Sequence, residues 1–100
     1  MRKEIESEDK SYYYALVDEY LNSGQTGRAL IQAAMNIAYN EDDPVAYINR
    51  ARVYEKLGAL ENAILDLQEA IRLSPDNKDA QALLPVFTQA FLQSMSSGHS

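Results

Sequence analysis

Asn49, Arg52 and Lys56 follow one another at steps of three and four residues, the spacing of side chains that share one face of a helix. Two cations beside an amide can hold a carboxylate through charge-assisted hydrogen bonds. Little else in the 100 residues could do chemistry. There is no cysteine, which excludes disulfides, thiolate metal sites and thiol nucleophiles. His99 is the single histidine, so multi-histidine metal sites and an internal imidazole base are excluded as well. Glu41, Asp42 and Asp43 stand together ahead of Pro44 and read as a solvated turn, not as a catalytic pair. No spacing matches a calcium loop, a phosphate-binding glycine loop or a nucleophile elbow. The expectation is a protein that is not an enzyme, with no cofactor and no metal.

Nine Lys and Arg against fifteen Asp and Glu leave a net charge of −6, which argues against a nucleic-acid partner because phosphate backbones require a positive field. The apolar run from Ala80 to Met95 is broken by Gln81, Pro85, Thr88 and Gln89. It falls short of the roughly 20 apolar residues that span a bilayer, so no membrane span is expected. The first ten residues hold no apolar stretch of the secretory kind. The expected location is cytoplasmic.

The elements that position these residues follow from an internal repeat. Tyr13, Tyr20, Gly24 and Ala29 match Tyr47, Tyr54, Gly58 and Ala63, each pair separated by 34 residues. Within the second copy, Tyr47, Ala51, Tyr54 and Leu57 form one helical stripe that Gly58 ends. Ala63, Ile64, Leu67, Ala70 and Ile71 form the next, closed by Ser74-Pro75. The first copy repeats the plan, with Tyr13, Leu16, Val17, Tyr20 and Leu21, then Ala29, Leu30, Ala33, Ile37 and Ala38. No alternating strand pattern is present. The fold class is therefore all-α. The chain divides into a charged N-terminal segment (1–9), repeats over 10–43 and 44–77, a capping helix over 78–95 and a disordered tail (96–100). Leu83, Leu84, Phe87, Ala90, Phe91 and Met95 give the cap its apolar stripe, and Pro85 inside it should kink or split the helix.

This 34-residue unit resembles the tetratricopeptide repeat (TPR). Tyr47, Ala51, Tyr54, Gly58, Ala63, Leu67, Ala70 and Pro75 occupy the positions where that family has its aromatic, small, turn and bulky residues. The first repeat is looser. Val17, Ala33 and Asn36 replace its small, bulky and small residues. Arg50 is a further departure, standing where the family usually has leucine. The resemblance implies a right-handed stack of antiparallel helical hairpins, about five helices in all, whose first helices line a concave groove. It implies that Tyr14, Asp18, Ile48, Asn49, Arg52 and Lys56 face that groove. It places Tyr14, Asp18, Asp79 and Leu83 where some members carry the lysines, asparagine and arginine that grip a chaperone's C-terminal carboxylate. Only Asn49 matches that set, so this mode of binding is not expected here.

The implied function is protein–protein interaction: an adaptor, scaffold or assembly and secretion chaperone that holds a partner segment, acidic in character, in the groove. Arg52 pairs either with Asp18 or with the partner's carboxylate. The rival reading is a self-associating structural module, a homodimer or larger homo-oligomer, through Tyr12 and the stripe Leu84, Phe87 and Phe91. Asn36 marks either a polar contact in such an interface or a core amide bonded to a neighbouring carbonyl.

Overall fold

In the computed structural model, the backbone is described for residues 2–97 and the side chains for residues 10–96. Five helices follow one another: α1 (Arg2–Asn22), α2 (Thr26–Tyr39), α3 (Pro44–Lys56), α4 (Leu60–Leu73) and α5 (Lys78–Ser97). No strand occurs among the described residues.

The same local devices close both hairpins. Gly24 and Gly58 adopt φ of 78° and 81°, left-handed values that cost a side chain about 1–2 kcal/mol. After each glycine the chain reaches back to the helix it has left. Gln25 N–H donates to the Tyr20 carbonyl and Ala59 N–H to that of Tyr54, both at 2.8 Å. The glycine N–H groups donate three residues back, to Leu21 at 3.1 Å and to Glu55 at 3.0 Å. This paired pattern satisfies carbonyls that a helix end leaves open. Asp43 starts α3, its side chain accepting from Val45 N–H at 3.0 Å with Pro44 at the first helical position. Asn77 does the same for α5, accepting from Ala80 N–H at 2.9 Å.

Two helices run further than the sequence reading gives them. The first helix begins at Arg2 rather than near Lys10, because Arg, Lys and Glu are good helix formers and need no apolar face to continue a helix already nucleated by packing. The last helix runs unbroken through Pro85 to Ser97, so the proline does not split it. Residues 98–100, the end of the expected disordered tail, lie outside the described residues.

The core forms in two parts. Ile48, Ala51, Ala63, Leu67, Ala70, Ala80 and Phe87 are buried together, with Tyr47, Tyr54, Ile64 and Leu84 packed at their margin. Val17, Ala29, Ala33 and Val53 form the second part, between the first hairpin and α3. The alanines allow close helix approach, and Leu67 fills the space beside them. Two expectations are corrected here. Phe87, read as part of a self-association surface, is 7% exposed and packs inward with Leu67 and Ala80, because the cap shields the second hairpin with its bulkiest side chain. Ile48, read as a groove residue, is 3% exposed for the same reason: it lies where α5 closes over α3.

Candidate functional site

α1 touches α3 and α3 touches α5, whereas α2 and α4 do not approach each other. A stack whose first helices meet and whose second helices splay is curved, with α1, α3 and α5 on its inner side. Solvent exposure marks a stripe on each of these helices. On α3, Val45, Arg52 and Lys56 are exposed and Asn49 half-buried, a stripe at steps of four, three and four. Subtracting the 34-residue repeat gives Ser11, Ala15, Asp18 and Asn22 on α1, all exposed. Adding it gives Asp79, Leu83, Val86 and Ala90 on α5, of which Asp79 and Val86 are exposed. Three stripes in one register lie on α1, α3 and α5.

Asn49, Arg52 and Lys56 thus share one face. Arg52 and Lys56 make no ion pair with any described residue, and Arg52 does not meet Asp18. Arg28 and Lys78 are likewise exposed without an ion pair to any described residue but lie off this stripe, whereas Lys10, Arg50 and Arg72 are each matched to an acid. Arg50 donates through Nε and Nη2 to both Asp66 oxygens at 2.9 Å and lies over the Tyr54 ring at 5.5 Å. Its pKa is raised, first by that hydrogen-bonded carboxylate. This pair accounts for the departure from leucine at Arg50: Asp66, itself 5% exposed, requires a buried counter-charge. Sixteen residues separate the two, and a charged residue on each of two facing apolar stripes was the signal available in the sequence.

Tyr14 stands apart from the other predicted groove residues. Its hydroxyl donates to Asp43 Oδ2 at 2.7 Å, and Lys10 Nζ reaches the same oxygen at 2.7 Å while sitting 5.7 Å from the Tyr14 ring centre. Burial by itself would push the Asp43 carboxyl up, but the hydrogen bonds from Lys10, Tyr14 and Val45 N–H outweigh it and hold the carboxyl below its ordinary range. The Tyr14 hydroxyl is pushed well above its ordinary value, by burial first and then by donation to Asp43. Tyr14 is therefore engaged in joining α1 to the start of α3.

Outside the groove, a hollow of about 470 Å³ opens between α1 and α2, lined in part by Lys10, Tyr13, Met35, Asn36 and Tyr39. Its polar groups are already engaged. The Asn36 amide donates to the Tyr13 carbonyl at 3.0 Å and accepts from Gln32 at 2.9 Å, so Asn36 is a core amide bonded to a neighbouring carbonyl. Tyr12, exposed, packs edge-on against Tyr13 with ring centres 5.1 Å apart. Leu84 and Phe91 are half-buried. Among the described residues no three His, Cys, Asp or Glu gather as a metal site, and no helix is long and apolar enough to cross a membrane.

Comparison with known proteins accords with this geometry. The tetratricopeptide repeat family model matches residues 44–77. The first TPR domain of the human RPAP3 protein superposes with a TM-score of 0.78 at 24% identity, covering 85% of this chain and 67% of that one. The second TPR of Spaghetti (RPAP3), bound to the HSP90 peptide SRMEEVD, gives 0.77 at 21% identity over 96% of this chain and 88% of that one. The UNC-45 chaperone gives 0.74 at 23% identity, matching 88% of this chain to 10% of its own length. Residues 44–77, with their Tyr, Ala, Gly and Leu in register and their two helices packed as described, are a tetratricopeptide repeat, and the five-helix chain around them has the fold of the tetratricopeptide repeat family.

Proposed function

We propose that this chain is a protein–protein interaction module, of adaptor or assembly-chaperone type, that holds a carboxylate-bearing segment of a partner protein in its concave groove. The observation that carries the reading is the pair Arg52 and Lys56: two exposed cations with no ion pair to any described residue, on the central stripe, in a chain of net charge −6 whose Lys10, Arg50 and Arg72 are each matched to an acid. A solved structure of the same fold holds a peptide that ends Glu-Glu-Val-Asp, which supports an acidic occupant without transferring its identity. The residues that would grip such a terminus are absent here, since Asp18 and Asp79 put acids on both outer stripes.

Affinity capture from lysate with the wild-type chain and with Arg52→Glu/Lys56→Glu tests the proposal. Both replaced side chains are exposed, so helicity by circular dichroism should be unchanged. Loss of the wild-type partner from the double variant is the expected result. Retention of the same partner at the same yield refutes the groove as its site. The self-association reading keeps only part of its surface, since Phe87 is internal and Leu84 half-buried. The exposed Tyr12 and Tyr39 still favour it. Light scattering on a sizing column decides it: a strict monomer removes that reading.

A further inference from the structure

The three stripes of the groove are not alike, and their order imposes a direction on whatever lies across them. At the level of Arg52 the α1 stripe offers Asp18 and the α5 stripe Val86, which is 60% exposed. One turn further, Lys56 stands between Asn22 and Ala90. One turn earlier, Asn49 stands between Ala15 and Leu83. From the level of Arg52 onward, crossing from α1 to α5, the floor is thus acidic and amide-bearing, then cationic, then aliphatic, while Asp79 stands at the far end of the α5 stripe. Val86, Ala90 and the margin of Leu83 form an apolar shelf along α5 that continues around the helix through Pro85 into an open surface hollow.

We infer, resting on the groove reading above, that the occupant is an extended segment of a partner protein in which an acidic residue is followed across the groove by an aliphatic one. The carboxylate sits on Arg52 and Lys56, and the aliphatic side chain lies on the Val86–Ala90 shelf of α5. Packed helices lie about 8–10 Å apart, and an extended chain of the polyproline II kind advances about 3.1 Å per residue and returns to the same face every third residue. The two side chains are therefore separated by about three positions. On the other side of the acid, at a similar distance, Asp18 disfavours a second carboxylate and suits a lysine, arginine or amide. Charge complementarity selects the acid, and burial of exposed aliphatic surface selects its neighbour.

Selection from a phage-displayed library of random dodecamer peptides tests this. The baits are the wild-type chain, Arg52→Glu/Lys56→Glu, Val86→Asn and Asp18→Lys, each checked for unchanged helicity. All four replaced side chains are exposed. The wild-type pool should be enriched in Asp or Glu with Val, Leu or Ile about three positions to one side. Val86→Asn should lower the aliphatic enrichment by about tenfold, the ratio that about 1.4 kcal/mol of contact produces, while the acid enrichment stays. Asp18→Lys should turn the preference on the far side of the acid from basic to acidic. An aliphatic preference that survives Val86→Asn, or that has no fixed offset from the acid, overturns this inference and leaves the groove reading standing. An acid preference that survives Arg52→Glu/Lys56→Glu, or a wild-type pool without one, overturns the groove reading itself.

Discussion

Arg50 and Asp66 illustrate what a single pair of side chains does to a small core. Removing one partner leaves a charge with no compensation, and breaking a buried pair costs about 3–5 kcal/mol. Arg50 still reaches water with a quarter of its side chain, 25% exposed, so Asp66→Ala should cost less, about 2–3 kcal/mol, read from urea unfolding. Arg50→Leu/Asp66→Leu together should restore stability to within about 1 kcal/mol, because an apolar pair of similar volume replaces the ions without stranding either. The Tyr14–Asp43–Lys10 cluster makes a second residue-scale prediction, this time about pH. Asp43 has a lowered pKa when folded, so its contribution is present above its ordinary 3.8 and is lost as pH falls through the folded value. Tyr14 has a raised pKa, so its contribution is present below its ordinary 10.0 and is lost as pH rises through the folded value. Stability should therefore be flat between about pH 5 and 9 and fall on both sides, and Tyr14→Phe should remove the part of the alkaline fall that this hydroxyl causes. Neither pairing was legible beforehand, although Arg50 and Asp66 each interrupt an apolar stripe. Each joins residues 16 to 33 apart, and a charge on a helix stripe reads equally well as solvated until its partner's helix is in place.

At the scale of elements, far more could be read in advance. The matched tyrosines, alanines and glycines at a fixed offset specify two hairpins, and helix ends at Gly24, Gly58 and Ser74-Pro75 follow from backbone chemistry alone. Nothing lies within 4 Å of where a Cβ would sit on either glycine, so replacement there costs only the left-handed conformation. Gly58→Ala should lower stability by about 1–2 kcal/mol without changing the fold, measured by thermal or urea unfolding with circular dichroism. The misreadings at this scale share one cause. In sequence, Ile48 is assigned by its position within a repeat and Phe87 by the apolar stripe of the cap, as though each met solvent. At the end of a stack the last helix closes over its neighbour, and residues beneath it become core. The extension of α1 to Arg2 was hidden for the converse reason, since a charged segment shows no apolar stripe by which a helix could be traced.

For the whole molecule, the unequal filling of the two hairpins sets where the stack opens first. The second hairpin buries Leu67 at the position where the first has Ala33, and it is shielded by α5 through Phe87 and Ala80. The stability of such a stack is close to a sum of units and the interfaces between neighbours. Amide hydrogen exchange should therefore be faster in α1 and α2 than in α3 and α4, and Leu67→Ala, expected to cost about 2–5 kcal/mol, should narrow that difference by loosening the stronger hairpin. The asymmetry also bears on Asp43. Its carboxylate caps α3 and at the same time takes hydrogen bonds from Tyr14 and Lys10 on α1, away from the apolar contacts that join the hairpins. A stack of hairpins behaves as a spring, and Asp43 ties two of its coils together. How far α1 and α3 can part is then limited by a carboxylate that belongs to none of the three stripes.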